Sequence, residues 1–217
     1  MAVITISGQF GAGEDLVAER VAKTLAYRLV DRPLVLRVLE QYGIIDYEKL
    51  LDTPPHLFDG LGNEKQSAND LLNSLYLLFA KRNNVVISSR RAFISLEPFL
   101  NVLTVFLKAP ESERIRNVMH WQGVNQKDAT RLVRTEEERR HGILESLVKG
   151  CADSMAMWTI TLDTYRLGMD VATNTIVAAT SQVAKADSLY GWQDGIPTTE
   201  TIETDHVMEN VVDKVLQ

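Results

Sequence analysis

The sequence is short of cysteine, of long apolar runs and of basic excess, and each shortage excludes something. Cys151 stands alone in 217 residues, which rules out an intrachain disulfide scaffold or a cysteine-built zinc site and makes a reducing cytoplasm the expected compartment. No apolar stretch approaches the roughly 20 residues that a membrane-spanning helix needs, so no membrane partner is expected. The first residues run straight into a β-branched segment, without the basic and apolar regions of a secretion signal. The formal charge is −6, and it is placed unevenly: residues 186–217 carry seven acids against Lys214, while the rest balances 22 acids with 22 bases. A neutral body with an acidic end lacks the basic face of a nucleic-acid binder, and no nucleic-acid partner is expected. The hydrophobic content of 45% in this length is ample for one sizeable core.

A further lack is the most informative one. Val3-Ile4-Thr5-Ile6-Ser7 is a short β-branched run, Gly8-Gln9-Phe10-Gly11-Ala12-Gly13 follows it, and an amphipathic stretch, Leu16 to Leu25, comes next. Strand, glycine-rich turn and helix form the setting in which backbone N–H groups and a helix N-terminus cradle phosphate. Gly8 and Gly13 have the G-x-x-x-x-G spacing of a P-loop, but the lysine and the hydroxyl that should follow are missing. Glu14 and Asp15 take their places. Acids in a first helical turn also suit the helix dipole, so a purely structural turn remains open from the loop alone.

Beyond the loop, apolar runs alternate with helical periodicities. Strands are expected at Tyr27–Val30, Val85–Ile87, Val102–Leu107 and Trp158–Leu162, and helices around 34–42, 69–82, 111–121, 125–149 and 168–184, with a loop carrying Pro54, Pro55, Gly60 and Gly62. Five short strands alternating with helices indicate a parallel three-layer α/β fold. Ligands of such sheets bind beyond the C-terminal strand ends, which gathers the glycine loop, Asp31-Arg32 and Ser88-Ser89-Arg90-Arg91 into one candidate site. Arginine suits bidentate phosphate recognition. A second basic set, Arg114, Arg116, Arg131, Arg134, Arg139 and Arg140, is interleaved with Glu136, Glu137 and Glu138. It reads either as a salt-bridged helical hairpin or as a lid that closes over phosphates.

These segments together resemble the bacterial cytidylate kinase-like family of the nucleoside monophosphate kinase group. The resemblance rests on Ile4 to Gly13, on Tyr27-Arg28-Leu29-Val30-Asp31-Arg32, on Val85 to Ala92 with Arg90 at the family arginine, on Arg114-Ile115, and on Glu136-Glu137-Glu138-Arg139. It spans roughly residues 2–184 and implies a three-layer P-loop kinase fold with a five-stranded parallel sheet. A helical substrate-binding insertion would occupy about 34–82 and a lid about 111–149, leaving 185–217 as an acidic C-terminal extension. It further implies ATP and Mg²⁺ as cofactors and a small phosphorylated acceptor. The expected nucleotide-binding positions are Gly8, Gly11, Ala12, Gly13, Glu14, Asp15, Arg114, Arg131 and Arg134. Arg32, Arg90 and Arg91 would bind the acceptor, Asp31, Arg90 and Arg139 would be catalytic, and Asp15 would contact the metal.

The departures from that pattern support a rival expectation. Glu14 and Asp15 replace a small residue and a metal-binding hydroxyl, Ser89 replaces a glycine, Arg91 a small residue, and Asp163 an asparagine. Losing a fixed cation near the phosphates is expensive for phosphoryl transfer. The chain is therefore expected to be an ATP-dependent phosphotransferase or, alternatively, a non-catalytic nucleotide or anion sensor. In the extension, Val207, Val211, Val212 and Val215 form an apolar stripe on an expected helix from Asp205 to Leu216. That stripe should dock on the chain's own body or, alternatively, on a second subunit in a homodimer.

Overall fold

The computed structural model describes residues 2–43, 62–147, 157–185 and 196–216. In chain order the elements are β1 (Val3–Gly8), α1 (Glu14–Leu25), β2 (Arg28–Val30), α2 (Arg32–Gln41), α3 (Gly62–Lys81), β3 (Val85–Ser88) and α4 (Ala92–Leu96). There follow β4 (Val102–Lys108), α5 (Glu111–Gln122), α6 (Gln126–Leu147), β5 (Ile160–Asp163), α7 (Thr164–Val183), a 3₁₀ turn at Thr199–Thr201 and α8 (His206–Leu216).

The described strands form one parallel sheet in the order β2-β3-β1-β4-β5. β1 lies at its centre and is buried along its whole length, as a continuous β-branched run in a doubly covered parallel sheet should be. Alternation along the strands divides the core. Val3, Val85 and Ile87 face a cluster with Leu34, Val38, Leu72, Leu75 and Phe79 of α2 and α3. Ile4, Ile6, Val86 and Leu103 face Val17, Val21, Ala172 and Ile176 of α1 and α7. Two helical layers enclosing one sheet is the three-layer architecture that the periodicities predict.

Several boundaries differ from the sequence expectation. β5 begins at Ile160, two residues later than the run from Trp158 suggests, because Trp158 stacks its ring on Phe93 and Phe106, with centroids 4.0 and 5.0 Å away. α7 starts at Thr164, not near 168, because Asp163 caps it by accepting hydrogen bonds from the N–H groups of Tyr165 and Arg166, both 3.1 Å. Gly168, at φ +75°, then breaks the helical geometry where the expected start lay. Gly62 opens α3 instead of belonging to the preceding loop. Pro54, Pro55, Gly60 and Cys151 lie outside the described residues.

The C-terminal residues 196–216 pack against the body. Ile202, Met208 and Val212 join the α2–α3 core cluster, Arg82 pairs with Asp213, and Leu100 N–H donates to the Pro197 carbonyl at 3.0 Å. The apolar stripe is rotated from its expected setting: Val207 is 62% exposed and Met208 is buried instead. At the centre of the docking, Thr199 is sealed with Asn83 and Asn101. Asn101 Nδ2 donates to Thr199 Oγ1 at 2.7 Å, Thr199 Oγ1 donates to Asn83 Oδ1 at 2.9 Å, and Thr199 N–H donates to Asn101 Oδ1 at 2.9 Å.

Candidate active site

The ends of β1, β2 and β3 deliver the glycine loop, Asp31-Arg32 and Ser88–Arg91 to one side of the sheet, as the strand-end rule requires. The loop's shape depends on glycine at two points. Gly11 sits at φ +87°, and a Cβ there would lie 2.7 Å from the Arg114 carbonyl oxygen. Gly13, at φ +92°, caps α1, and a Cβ there would run into the Met169 methyl. No L-residue side chain fits either position without strain.

The loop is braced from below and from the α5–α6 hairpin. Ala12 N–H donates to the Gln9 carbonyl at 2.8 Å, and Thr164 Oγ1 donates to the Ala12 carbonyl at 2.8 Å. Arg114 is buried, donating through Nε to the Ala109 carbonyl (3.1 Å) and through Nη1 to the Phe10 carbonyl (3.3 Å). Asn117 Nδ2 donates to the Gly11 carbonyl at 2.9 Å. The Phe10 side chain enters a small apolar cluster of the α5–α6 hairpin with Val118, Ala129 and Val133. Arg114, expected to bind the cofactor, thus holds the loop's carbonyls in place.

Two adjoining cavities flank α1's first turn. One, of about 110 Å³, is lined by Ser7, Glu14, Asp15, Arg32, Tyr76, Ser88, Ser89, Arg90 and Arg91. Here Ser89 Oγ donates to Tyr76 Oη at 3.0 Å, and Ser88 Oγ donates to Asp15 Oδ1 at 2.7 Å. Arg91 is 4% exposed, and burial lowers its pKa from the usual guanidinium range while the nearby Tyr76 works against the shift. Burial in turn pushes the Tyr76 phenol up. The larger cavity, about 760 Å³, is bounded by Gly11, Gly13, Asp31, Arg32 and Arg90, with Trp121 of α5 on its far wall. Asp31 borders this space while its Oδ1 accepts from Leu34 N–H at 2.9 Å, so it serves as the α2 cap as well as a site wall.

Glu14 is strongly perturbed electrostatically. Its Oε2 is shut from solvent without a hydrogen-bond partner among the described residues, and it lies 2.9 Å from where a Gly8 Cβ would be. The carboxyl is pushed up to about 8, first by desolvation and next by the adjacent Asp15 charge. Arg90 and Arg140 pull the other way, and Glu137 adds to the rise. At neutral pH this side chain is a neutral acid, which relieves the repulsion toward phosphate that an ionised acid would bring.

The acids of α6 reach into the site. Glu136 bridges Arg90 and Arg139, at 2.7 and 2.8 Å, and Glu137 Oε1 accepts from Phe10 N–H at 3.1 Å. Arg140, which the motif reading passes over in favour of Arg139, is buried beneath Phe106 and lies 3.4 Å from Glu137. Arg131 and Arg134 are not brought to the site. Both are exposed and pair with Asp128 and Glu111 on the outside of the hairpin. The signal that separates them is helical phase, since Glu137 and Arg140 follow Val133 on the buried face of α6 and Arg131 and Arg134 do not.

Residues 3–166 match the model of the cytidylate kinase-like family. The chain belongs to that family. Among curated relatives it is 28% identical over 172 residues to a cytidylate kinase of Pyrobaculum islandicum, covering 79% of this chain and 89% of that one. It is 26% identical over 180 residues to a cytidylate kinase of Ignicoccus hospitalis, covering 81% and 97%. These relatives are archaeal, so the restriction to bacteria drawn from the motifs is not supported. Among solved structures, an uncharacterized protein from Eubacterium ventriosum superposes with a TM-score of 0.61 at 18% identity, covering 83% and 99% of the two chains. Shikimate kinase from Bacteroides thetaiotaomicron gives 0.50 at 14%, covering 83% and 98%. The fold is accordingly the α/β fold of the P-loop kinases, with its five-stranded parallel sheet.

Proposed function

We propose that this member of the cytidylate kinase-like family transfers the γ-phosphoryl group of ATP to a nucleoside monophosphate or a similar small phosphorylated acceptor. The observation that carries the reading is the convergence of the glycine loop, Asp31-Arg32 and Arg90-Arg91 on adjoining cavities at the strand ends. Phosphoryl transfer asks chiefly for positioning and charge stabilisation, and these residues supply backbone donors, a carboxylate and guanidiniums in reach of one space. Arg32, Arg90 and Arg91 line the smaller cavity, which suits the acceptor's phosphate, and Asp31 stands where it can orient the acceptor.

The donor set also fits a magnesium ion in its nucleotide-bound form. Among the described residues no three His, Cys, Asp or Glu side chains converge as a metal-binding group, and Mg²⁺ needs few protein ligands when phosphate oxygens and waters complete its shell. Asp15, beside the Ser88 hydroxyl, would hold it, and its charge would offset that of the phosphates. A coupled ADP-release assay with ATP, Mg²⁺ and a panel of nucleoside monophosphates tests the reading; turnover with at least one acceptor is expected, and none with any refutes it.

The sensor reading is favoured by the buried Glu14 carboxyl and by the occupation of Phe10 N–H by a lid carboxylate. It predicts measurable ATP affinity by calorimetry together with no transfer to any acceptor.

A further inference from the structure

The arginines and loop amide nearest the lid already hold an anion, and that anion belongs to the protein. Glu137 Oε1 accepts the Phe10 N–H at 3.1 Å and lies 3.4 Å from Arg140 Nε and 3.7 Å from Arg114 Nη1. The Arg114 and Arg140 side chains are 9% and 10% exposed. Arg140 Nε has no hydrogen-bond partner among the described residues, so its 3.4 Å approach to Glu137 is an ion pair that lacks hydrogen-bond alignment. Two buried guanidiniums and a glycine-loop amide converging on one point form the donor set that a phosphoryl oxygen takes. Buried cations must be paired, and Glu137 pairs them here.

Building on the phosphotransferase reading, we propose that Glu137 is a stand-in anion in a phosphoryl seat made of Phe10 N–H, Arg114 and Arg140, and that a polyphosphate ligand binds there by displacing it. A carboxylate offers one negative charge and, in this pose, one engaged oxygen. A phosphoryl group offers more charge and three oxygens, so it competes well for the same donors. Displacing Glu137 also frees α6 from its polar tie to the glycine loop, while Phe10 stays packed in the hairpin's apolar cluster. Ligand entry and lid rearrangement are thereby one event. The internal carboxylate sets the threshold that a ligand must exceed, so weakly charged anions are rejected and polyphosphates admitted.

Calorimetric titration with inorganic tripolyphosphate tests this without needing transfer. Glu137→Gln keeps the size and an acceptor for Phe10 N–H but removes the competing charge, and should bind tripolyphosphate on the order of tenfold tighter, the scale of one charge-assisted hydrogen bond. Glu138→Gln removes the same charge from the same turn on the exposed side and should leave affinity within about twofold, because exposed charges are screened. Equal gains in both variants, no gain in Glu137→Gln, or no binding by any of the proteins overturns the proposal. The unsubstituted chain supplies a check that is independent of variant folding: the Phe10 amide resonance must shift on saturation with tripolyphosphate, and an unmoved resonance also overturns it. Tighter tripolyphosphate binding in a protein that phosphorylates no acceptor would sink the kinase reading and leave this seat standing, whereas turnover without the Glu137→Gln gain would do the reverse.

Discussion

Thr199→Val tests whether the C-terminal segment is an integral part of the fold. The side chain is 0% exposed, and its hydroxyl accepts from Asn101 Nδ2 at 2.7 Å and donates to Asn83 Oδ1 at 2.9 Å. Valine has nearly the same shape, so the change removes both hydrogen bonds without opening a cavity. Asn83 and Asn101 can still meet each other at 3.2 Å, which leaves mainly one buried amide proton of Asn101 without an acceptor. A buried polar group left unsatisfied costs about 1–3 kcal/mol. For a chain of this length that lowers Tm by roughly 2–4 °C per kcal/mol, or roughly 4–8 °C at the middle of the range. Thr201→Val is the control, since Thr201 is exposed and its hydroxyl donates to the Thr198 carbonyl of its own turn; its effect should stay within about 0.5 kcal/mol. Melting curves of the three proteins decide the matter. A Thr199→Val protein that melts within about one degree of the parent would refute the idea that this buried network anchors the segment.

Other consequences concern the site. Glu14→Gln should stabilise the metal-free protein near neutral pH. The folded acid titrates near 8 and the unfolded one near 4.5, so Glu14's own contribution to stability is most favourable below pH 4.5, falls as the unfolded chain alone sheds its proton, and levels off above 8. Melting in chelator should show a gain of roughly 2–3 kcal/mol at pH 7 that vanishes near pH 4; a gain independent of pH would remove the buried-acid account. Arg90→Lys should weaken acceptor or phosphate binding by at least roughly tenfold at nearly unchanged Tm, because a lysine cannot reproduce a two-pronged contact. Wild-type affinity in that variant would place the acceptor phosphate elsewhere. Arg131→Ala and Arg134→Ala should change ATP affinity less than about twofold, as both side chains are exposed on the outer hairpin face. A large loss in either, read by calorimetry, would show that the hairpin swings them inward.

The sheet was legible because buried parallel strands write themselves as uninterrupted β-branched runs, and Val3–Ser7 and Val102–Leu107 need no partner to be recognised. Trp158 misled the reading because a large aromatic beside an apolar run resembles a strand residue, while its ring is used to stack on Phe93 and Phe106. Strand ends also foretold that Asp31, Arg32, Arg90 and Arg91 border adjoining cavities, since topology alone fixes where those positions converge. The lid was harder. Six arginines interleaved with acids look alike in sequence, and only the phase of α6 against Val133 separates buried Arg140 from exposed Arg131 and Arg134. Glu137 was legible merely as an ion-pair partner, because its link to Phe10 joins residues 127 apart in the chain. The protonated state of Glu14 follows from enclosure, which no local pattern encodes.

The most direct test of the phosphotransferase account is the fate of the γ-phosphoryl group itself. The protein is incubated with Mg²⁺, ATP labelled on the γ-phosphate and each nucleoside monophosphate in turn, and the products are separated chromatographically. The account predicts label in a nucleoside diphosphate, lost on Arg90→Lys. Label that stays in ATP, or appears only as inorganic phosphate whatever acceptor is supplied, would contradict it.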